Sequence, residues 1–107
     1  MSADKIRALN DAFRTSMTGG RVVMTAGVDA LPSDVKAMVI RRVATFTDFT
    51  ADDDPQGKHD FGSFELAAQK FFWKIDYYDA AMEFGSEDPA DPTETVRVLT
   101  IMLASEY

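Results

Sequence analysis

The chain has no cysteine among its 107 residues. That excludes disulfide staples, thiolate metal sites and cysteine nucleophiles together. One histidine is present, too few for the zinc centres that imidazoles build. Long apolar runs are missing too: AMVI (37–40) and FFW (71–73) stop far short of the ~20 residues a membrane helix needs. The opening MSADKIRALNDAFR spreads charges every few residues and lacks the apolar centre of a secretory signal. The expectation is a cytoplasmic protein away from membranes. Thr18-Gly19-Gly20-Arg21 lies between a helical and an extended pattern, the reverse of the order that cradles phosphate at a helix start. No serine sits in a nucleophile motif. The chain is therefore expected to be non-enzymatic and to carry no cofactor.

What is present suffices for a core. Apolar residues make up 46% of the chain and eight are phenylalanine, which argues against disorder. The length suits a single domain, residues 1–107.

Charge is unevenly spread. Residues 1–45 hold seven Lys/Arg and four Asp/Glu, a net +3, whereas residues 46–107 hold four and fourteen, a net −10. From Ile75 to Val96 there is no basic residue, yet seven acidic ones occur: Asp76, Asp79, Glu83, Glu87, Asp88, Asp91 and Glu94. Phosphate contacts need clustered Lys/Arg, so direct nucleic-acid binding is not expected. A basic partner is.

Ile6, Leu9, Phe13 and Met17 recur at helical spacing, predicting a helix over 3–17 with Ser2 as N-cap and Gly19-Gly20 as its stop. RVVMTA (21–26) is β-branched and reads as a strand. Leu31-Pro32-Ser33 opens a second helix with Val35, Met38, Val39 and Arg42 on one face and Leu31 as a staple. VATFTDF (43–49) shifts toward a strand, and TADDDPQGKH (50–59) is a loop. Residues 60–66 and 71–79 alternate with period two and predict an antiparallel hairpin closed by Ala67-Ala68-Gln69-Lys70. Phe71, Trp73, Ile75 and Tyr77 then share the core face, where Gly62 leaves room for a ring. Phe61, Phe72 and Tyr78 share the other face, covered by a helix or open for a partner. Asp91-Pro92-Thr93-Glu94 carries a helix-start pattern, and Val96, Leu99 and Leu103 then form a buried helical face. The β-rich VRVLTI within it is also compatible with a strand. The methionines 17, 24, 38 and 102 read as core filler.

The expected architecture is two-layer α+β: a largely antiparallel sheet of about four strands with three helices packed on it.

Three groups of residues are candidate sites. Asp52, Asp53, Asp54, His59 and Asp60 offer oxygen and imidazole ligands. They lack the alternating spacing and the glycine of a calcium loop, so an acidic solvated loop is the plainer reading. His59-Asp60 with Asp76 and Asp79 one strand away could make an acid/base cluster, though no nucleophile accompanies it. Third, Asp76, Tyr78, Asp79, Glu83, Phe84, Glu87, Asp88 and Asp91 combine carboxylates with rings, as a surface for a basic groove would.

HDFG (59–62), FWKIDYYD (72–79), DPADP (88–92) with Thr95, and RVLTIMLASEY (97–107) together resemble a bacterial family described only as a domain of unknown function, number 3768. NDAFR (10–14) and Thr25, Gly27 and Val28 fit the same pattern, so the resemblance spans nearly the whole chain. Lys58 departs from the acidic residue expected beside the histidine. The resemblance implies no activity.

The functional expectation is a small acidic protein-binding module. Its most concrete form is an anti-CRISPR or other anti-defence inhibitor that blocks the basic nucleic-acid-binding surface of a host complex. The alternatives are a domain for a small ligand or divalent metal, or a homodimer that buries Phe61, Phe72 and Tyr78.

Overall fold

The computed structural model describes residues 2–107, the side chain of Ser2 excepted; the expected cap by that side chain lies outside the described residues. Helix α1 runs Ser2–Ser16, β1 Arg21–Met24, α2 Ala26–Asp29, α3 Ser33–Ala44, β2 Phe61–Leu66, β3 Gln69–Tyr78 and β4 Val96–Leu103, followed by one 3-10 turn, Ala104–Glu106. The four strands form one sheet in the order β1-β4-β3-β2, with β1 and β4 parallel and the other pairs antiparallel. This is the expected α+β class. The alternation of buried and half-buried residues along β3 and β4 gives the sheet one inward and one outward face.

The inward face carries Phe71, Trp73 and Ile75 from β3 and Leu99 and Ile101 from β4, all buried against Phe13 of α1, Val28 of α2 and Val39 and Val43 of α3. Burying rings and branched chains at this seam stabilises the fold by ~1.5–3 kcal/mol for each large side chain. Met38, placed on the core face of α3 by its spacing, is 54% exposed instead. The buried stripe turns toward Val39 and Val43, and Arg42 lays its guanidinium over the Phe64 ring at 4.9 Å. Pro32 precedes α3 as its cap residue, one position earlier than the usual first-turn proline, and Leu31 packs against the core as expected. VATFTDF does not make a strand: α3 continues to Ala44, and Phe46 and Phe49 then point inward from an irregular segment, edge to face at 5.1 Å.

The last predicted helix is a strand. β4 occupies the centre of the sheet, buries Arg97, Leu99 and Ile101 and pairs on both sides. The start signal did form locally, since Asp91 Oδ1 accepts from the Thr93 backbone N–H at 2.9 Å. Propagation stopped because VRVLTI fits a paired, two-sided strand better than a one-sided helix, and tertiary pairing outweighs capping.

The hairpin is tighter than its sequence suggested. Leu66 pairs with Gln69, so only Ala67 and Ala68 turn the chain, both at positive φ (53° and 63°), as a type I′ turn requires. Relative to the four-residue loop this moves each partner by two, which keeps every side chain on its expected face. Gly62 therefore faces Trp73 rather than Ile75; a Cβ there would overlap the indole and come within 2.8 Å of the Phe46 ring.

Candidate functional site

Two charged regions merit comparison: a polar seam under α1 and an acidic end beyond β3. α1 buries more than its apolar stripe. Asn10 and Arg14, four apart and so on the same face, are 0% and 3% exposed beside Ile6 and Phe13. The Asn10 amide donates to Lys58 O (3.0 Å) and to the Tyr77 hydroxyl (2.8 Å), while its carbonyl accepts from Arg97 Nε (2.7 Å). The Tyr77 hydroxyl in turn donates to Asp60 Oδ2 at 2.8 Å. Burial holds the Tyr77 phenol well above its ordinary value and the Arg97 guanidinium below its own. A second guanidinium N–H of Arg97 donates to Pro89 O. Side chains or backbone of NDAFR, HDFG, FWKIDYYD, DPADP and RVLTIMLASEY thus meet in one network.

His59 caps the open rim of this seam. Its Nδ1 lies 2.9 Å from Asp11 Oδ1, its ring stacks on Phe49 at 3.7 Å, and its backbone N–H donates to Asp54 Oδ1 at 3.1 Å. The residue stands at φ 57°, an uncommon conformation for a side-chain-bearing residue, fixed by these three contacts. Arg14 lies below, donating to Val43 O at 2.8 Å and to Asp11 at 3.2 Å, with its guanidinium over Trp73 and Phe49. A cleft of about 660 Å³ opens here, floored by Phe46 and Phe49 and rimmed by Asp11, Thr47 and His59.

The predicted acid/base cluster does not assemble. His59 pairs with Asp11, Asp60 bonds to Tyr77, and Asp76 sits on the opposite face of the sheet beside Lys74 at 3.2 Å. Of Asp52, Asp53, Asp54, His59 and Asp60, the fold brings Asp54 and His59 together, Oδ2 to Nε2 at 3.8 Å, with Asp54 buried rather than solvated; the five do not converge as a ligand set among the described residues. Among the described residues, the carboxylates that converge to within 4.8 Å are those of Asp88, Asp91 and Glu94. These three could share a cation; as they stand they are exposed or half-exposed acids on a turn.

The acidic end is built by chain reversal after β3. The Asp79 backbone N–H donates to Phe84 O (2.8 Å), Ser86 N–H donates to Tyr77 O (3.0 Å), and Asp79 Oδ1 accepts from the Glu83 N–H (3.0 Å). Thr95 fastens the next loop by donating to Asp88 O at 2.8 Å and bonding Ser86 Oγ at 2.7 Å. The result places Asp79, Glu87 and Glu94 beside Phe84, which is 71% exposed, with Asp88 and Asp91 converging on Glu94 and Glu83 in the same turn. None of the six carboxylates makes an ion pair among the described residues. The hydrogen bond and charge of Asp91 hold the Glu94 carboxyl above its ordinary value, whereas the Thr93 hydroxyl and N–H hold Asp91 below its own. Of the residues expected to bind a partner, Asp79, Glu83, Phe84, Glu87, Asp88 and Asp91 share this end, while Asp76 and Tyr78 lie on the outward sheet face.

Asn10, Asp11, Arg14 and Arg97 were not among the candidate site residues read from the sequence, where Tyr77 stood only as a core-face ring and Glu94 only in the acidic run and the helix-start pattern. The available signal for Asn10 and Arg14 was their place at i+4 and i+8 from Ile6, on the buried side of the helix. No helix among the described residues is long and apolar enough to cross a membrane. The chain belongs to the family described as protein of unknown function (DUF3768), matched over residues 24–106, so that α1 precedes the matched part. No curated protein and no solved structure matches it.

Proposed function

We propose that this chain is a non-enzymatic protein-binding module whose acidic end docks on a basic surface of a partner protein. One observation carries the reading: Phe84, 71% exposed, shares a surface hollow with Asp79, Glu87 and Glu94, at an acidic end whose six carboxylates make no ion pair among the described residues. An exposed ring surrounded by acids gives an apolar anchor inside a charged rim, the arrangement in which a few central residues hold a complex and the rim steers its approach. The loops are held by their own side chains (Asp79, Thr95 and Asp91), which lowers the ordering cost on binding. A surface that carries this much negative charge competes with a phosphate backbone. The partner's chemistry is therefore that of a nucleic-acid-handling protein, and in its sharpest form a CRISPR or other defence complex that the module inhibits.

The test is capture of partners from nuclease-treated lysate of the native host at low and high salt, with the variant E87K/D88K/D91K alongside. A stoichiometric nucleic-acid-handling partner, released by salt and lost with the variant by about 100-fold or more, is expected for desolvated charge contacts. Retention of the partner by the variant would remove the acidic end as the binding surface.

A second reading is favoured by the cleft beside His59: its aromatic floor and few polar groups have the size and make-up of small-ligand pockets. A ligand or divalent cation held there would raise the melting temperature by mass action. Melts unmoved by Ca²⁺, Mg²⁺, Mn²⁺ or Zn²⁺ would discard the metal form.

A further inference from the structure

The helices pack on the inward face of the sheet, and the outward face has no layer of its own. Register places Phe61 of β2, Phe72, Lys74, Asp76 and Tyr78 of β3 and Val98 of β4 on it. Phe61 and Phe72 lie 5.3 Å apart, and Tyr107 folds back over them at 6.2 and 5.2 Å. The Tyr107 ring is itself 73% exposed, so this aromatic group continues outward rather than being closed over.

The charge on this face differs from the rest of the molecule. The chain carries −7 overall, yet across the outward register Arg21, Lys70 and Lys74 stand against Glu65 and Asp76. A strongly basic partner gains nothing here. A second copy of this chain, repelled by the acidic end, meets a nearly neutral apolar surface.

We infer that the outward sheet face is a two-fold interface with a second copy of the chain, in which β3 lies antiparallel across its counterpart about the level of Ile75. Isologous contact demands that each residue and its opposite exchange roles, and β3 has the sequence for it. Lys74 faces the counterpart of Asp76, and Phe72 faces the counterpart of Tyr78. The same arrangement sends the two acidic ends to opposite extremes of the dimer, where they repel least. Strands of 4, 6, 10 and 8 residues span roughly 450 Å² per copy in projection at about 3.3 Å per residue and 4.8 Å between strands. The pair then sits close to the ~1,000 Å² at which specific interfaces begin, the size of a weak, reversible dimer; area alone sets no dissociation constant. This interface is independent of the acidic-end reading, because E87K/D88K/D91K leaves the sheet face unchanged.

Sedimentation velocity from ~5 to ~500 μM, a range suited to weak self-association, tests it. The wild-type mass is expected to rise with concentration from 11.9 kDa toward twice that value. Phe72→Glu is expected to remain monomeric. Lys74→Asp and Asp76→Lys, both at solvent-accessible positions, are each expected to weaken self-association about tenfold or more. Mixing those two variants restores it, since each then meets the opposite charge across the axis. An intramolecular effect of the Lys74–Asp76 pair cannot produce rescue on mixing. Wild-type protein that stays monomeric throughout, or single variants that are not rescued by each other, would overturn the inference.

Discussion

The polar seam and the acidic end handle charge in opposite ways. In the seam, Arg97, Asn10, Tyr77 and Asp60 form a continuous chain of hydrogen bonds between a helix, a loop and two strands. At the acidic end, Asp79, Asp88 and Asp91 accept hydrogen bonds from their own loops, none of the six carboxylates makes an ion pair among the described residues, and Lys5 acts on Asp91 only from a longer distance. Buried polar groups must be matched or the fold suffers; exposed ones need not be, and water bears the cost. The difference separates architecture from recognition: residues whose partners lie inside the chain hold the fold, and residues left with unused acceptors are free to meet another molecule.

Breaking the seam gives the largest expected effect. Arg97→Ala strands the Asn10 carbonyl in the interior and deletes the tie to Pro89, at a cost of about 3 kcal/mol. For a domain of this length that lowers the melting temperature by more than about 10 °C. The triple reversal E87K/D88K/D91K, by contrast, is expected to lower the melting temperature far less than Arg97→Ala, because the loop hydrogen bonds it removes at Asp88 and Asp91 are exposed and the repulsion it relieves among neighbouring acids offsets part of their loss. Thermal melts of the two variants side by side check the comparison directly. A triple variant as damaged as Arg97→Ala would show that the acidic end is structural after all.

Tyr77→Phe probes the seam more gently, removing one hydroxyl that both donates and accepts, for about 1–2 kcal/mol at neutral pH. It also carries a pH signature. The Tyr77 phenol titrates above its ordinary 10.0 in the folded chain, so above pH 10 the unfolded state releases a proton that the folded state retains. Stability from this group is thus fully present below pH 10 and falls as pH rises beyond it. Chemical denaturation between neutral pH and pH 11 should show that decline in the wild type and a shallower one in Tyr77→Phe. Parallel declines would place the alkaline loss elsewhere.

The seam was also the part hardest to read in advance. Period-two alternation in FFWKIDYY set the faces of β3 correctly, and Gly62 announced a ring, because both signals are local. The helix-start pattern DPTE was equally local and misled: it formed its turn, but the fate of residues 96–103 was decided by β1 and β3 on either side. Asn10 and Arg14 escaped notice for a related reason. Apolar periodicity cannot register a buried polar side chain, whose partners at Lys58, Tyr77, Arg97 and Val43 are 29 to 87 residues away in sequence. The acidic end was legible as composition, since a stretch without Lys or Arg needs no fold to be recognised. Its division from Asp76 and Tyr78 required the strand register.

The smallest expected effect bears on whether the acidic end is poised for a cation. Glu94 is held above its ordinary 4.5 chiefly by its hydrogen bond with Asp91 and by the charges of Asp91, Asp88 and Glu87. A group raised in this way favours the folded state only while protonated, so its contribution is lost as pH rises through its folded value. At neutral pH the cluster is mutually repelled. Asp91→Asn removes both the hydrogen-bonding carboxylate and its charge, and should bring Glu94 back toward 4.5, read from the carboxyl carbon shifts of Glu94 in an NMR titration. A lysine-rich peptide should do the same to the wild type by supplying the missing cation, and the shift should fade as salt is added. If the peptide leaves Glu94 where it was while Asp91→Asn moves it, the repulsion is real but the site does not accept a basic partner. The distinction between the seam and the acidic end would then be one of burial alone.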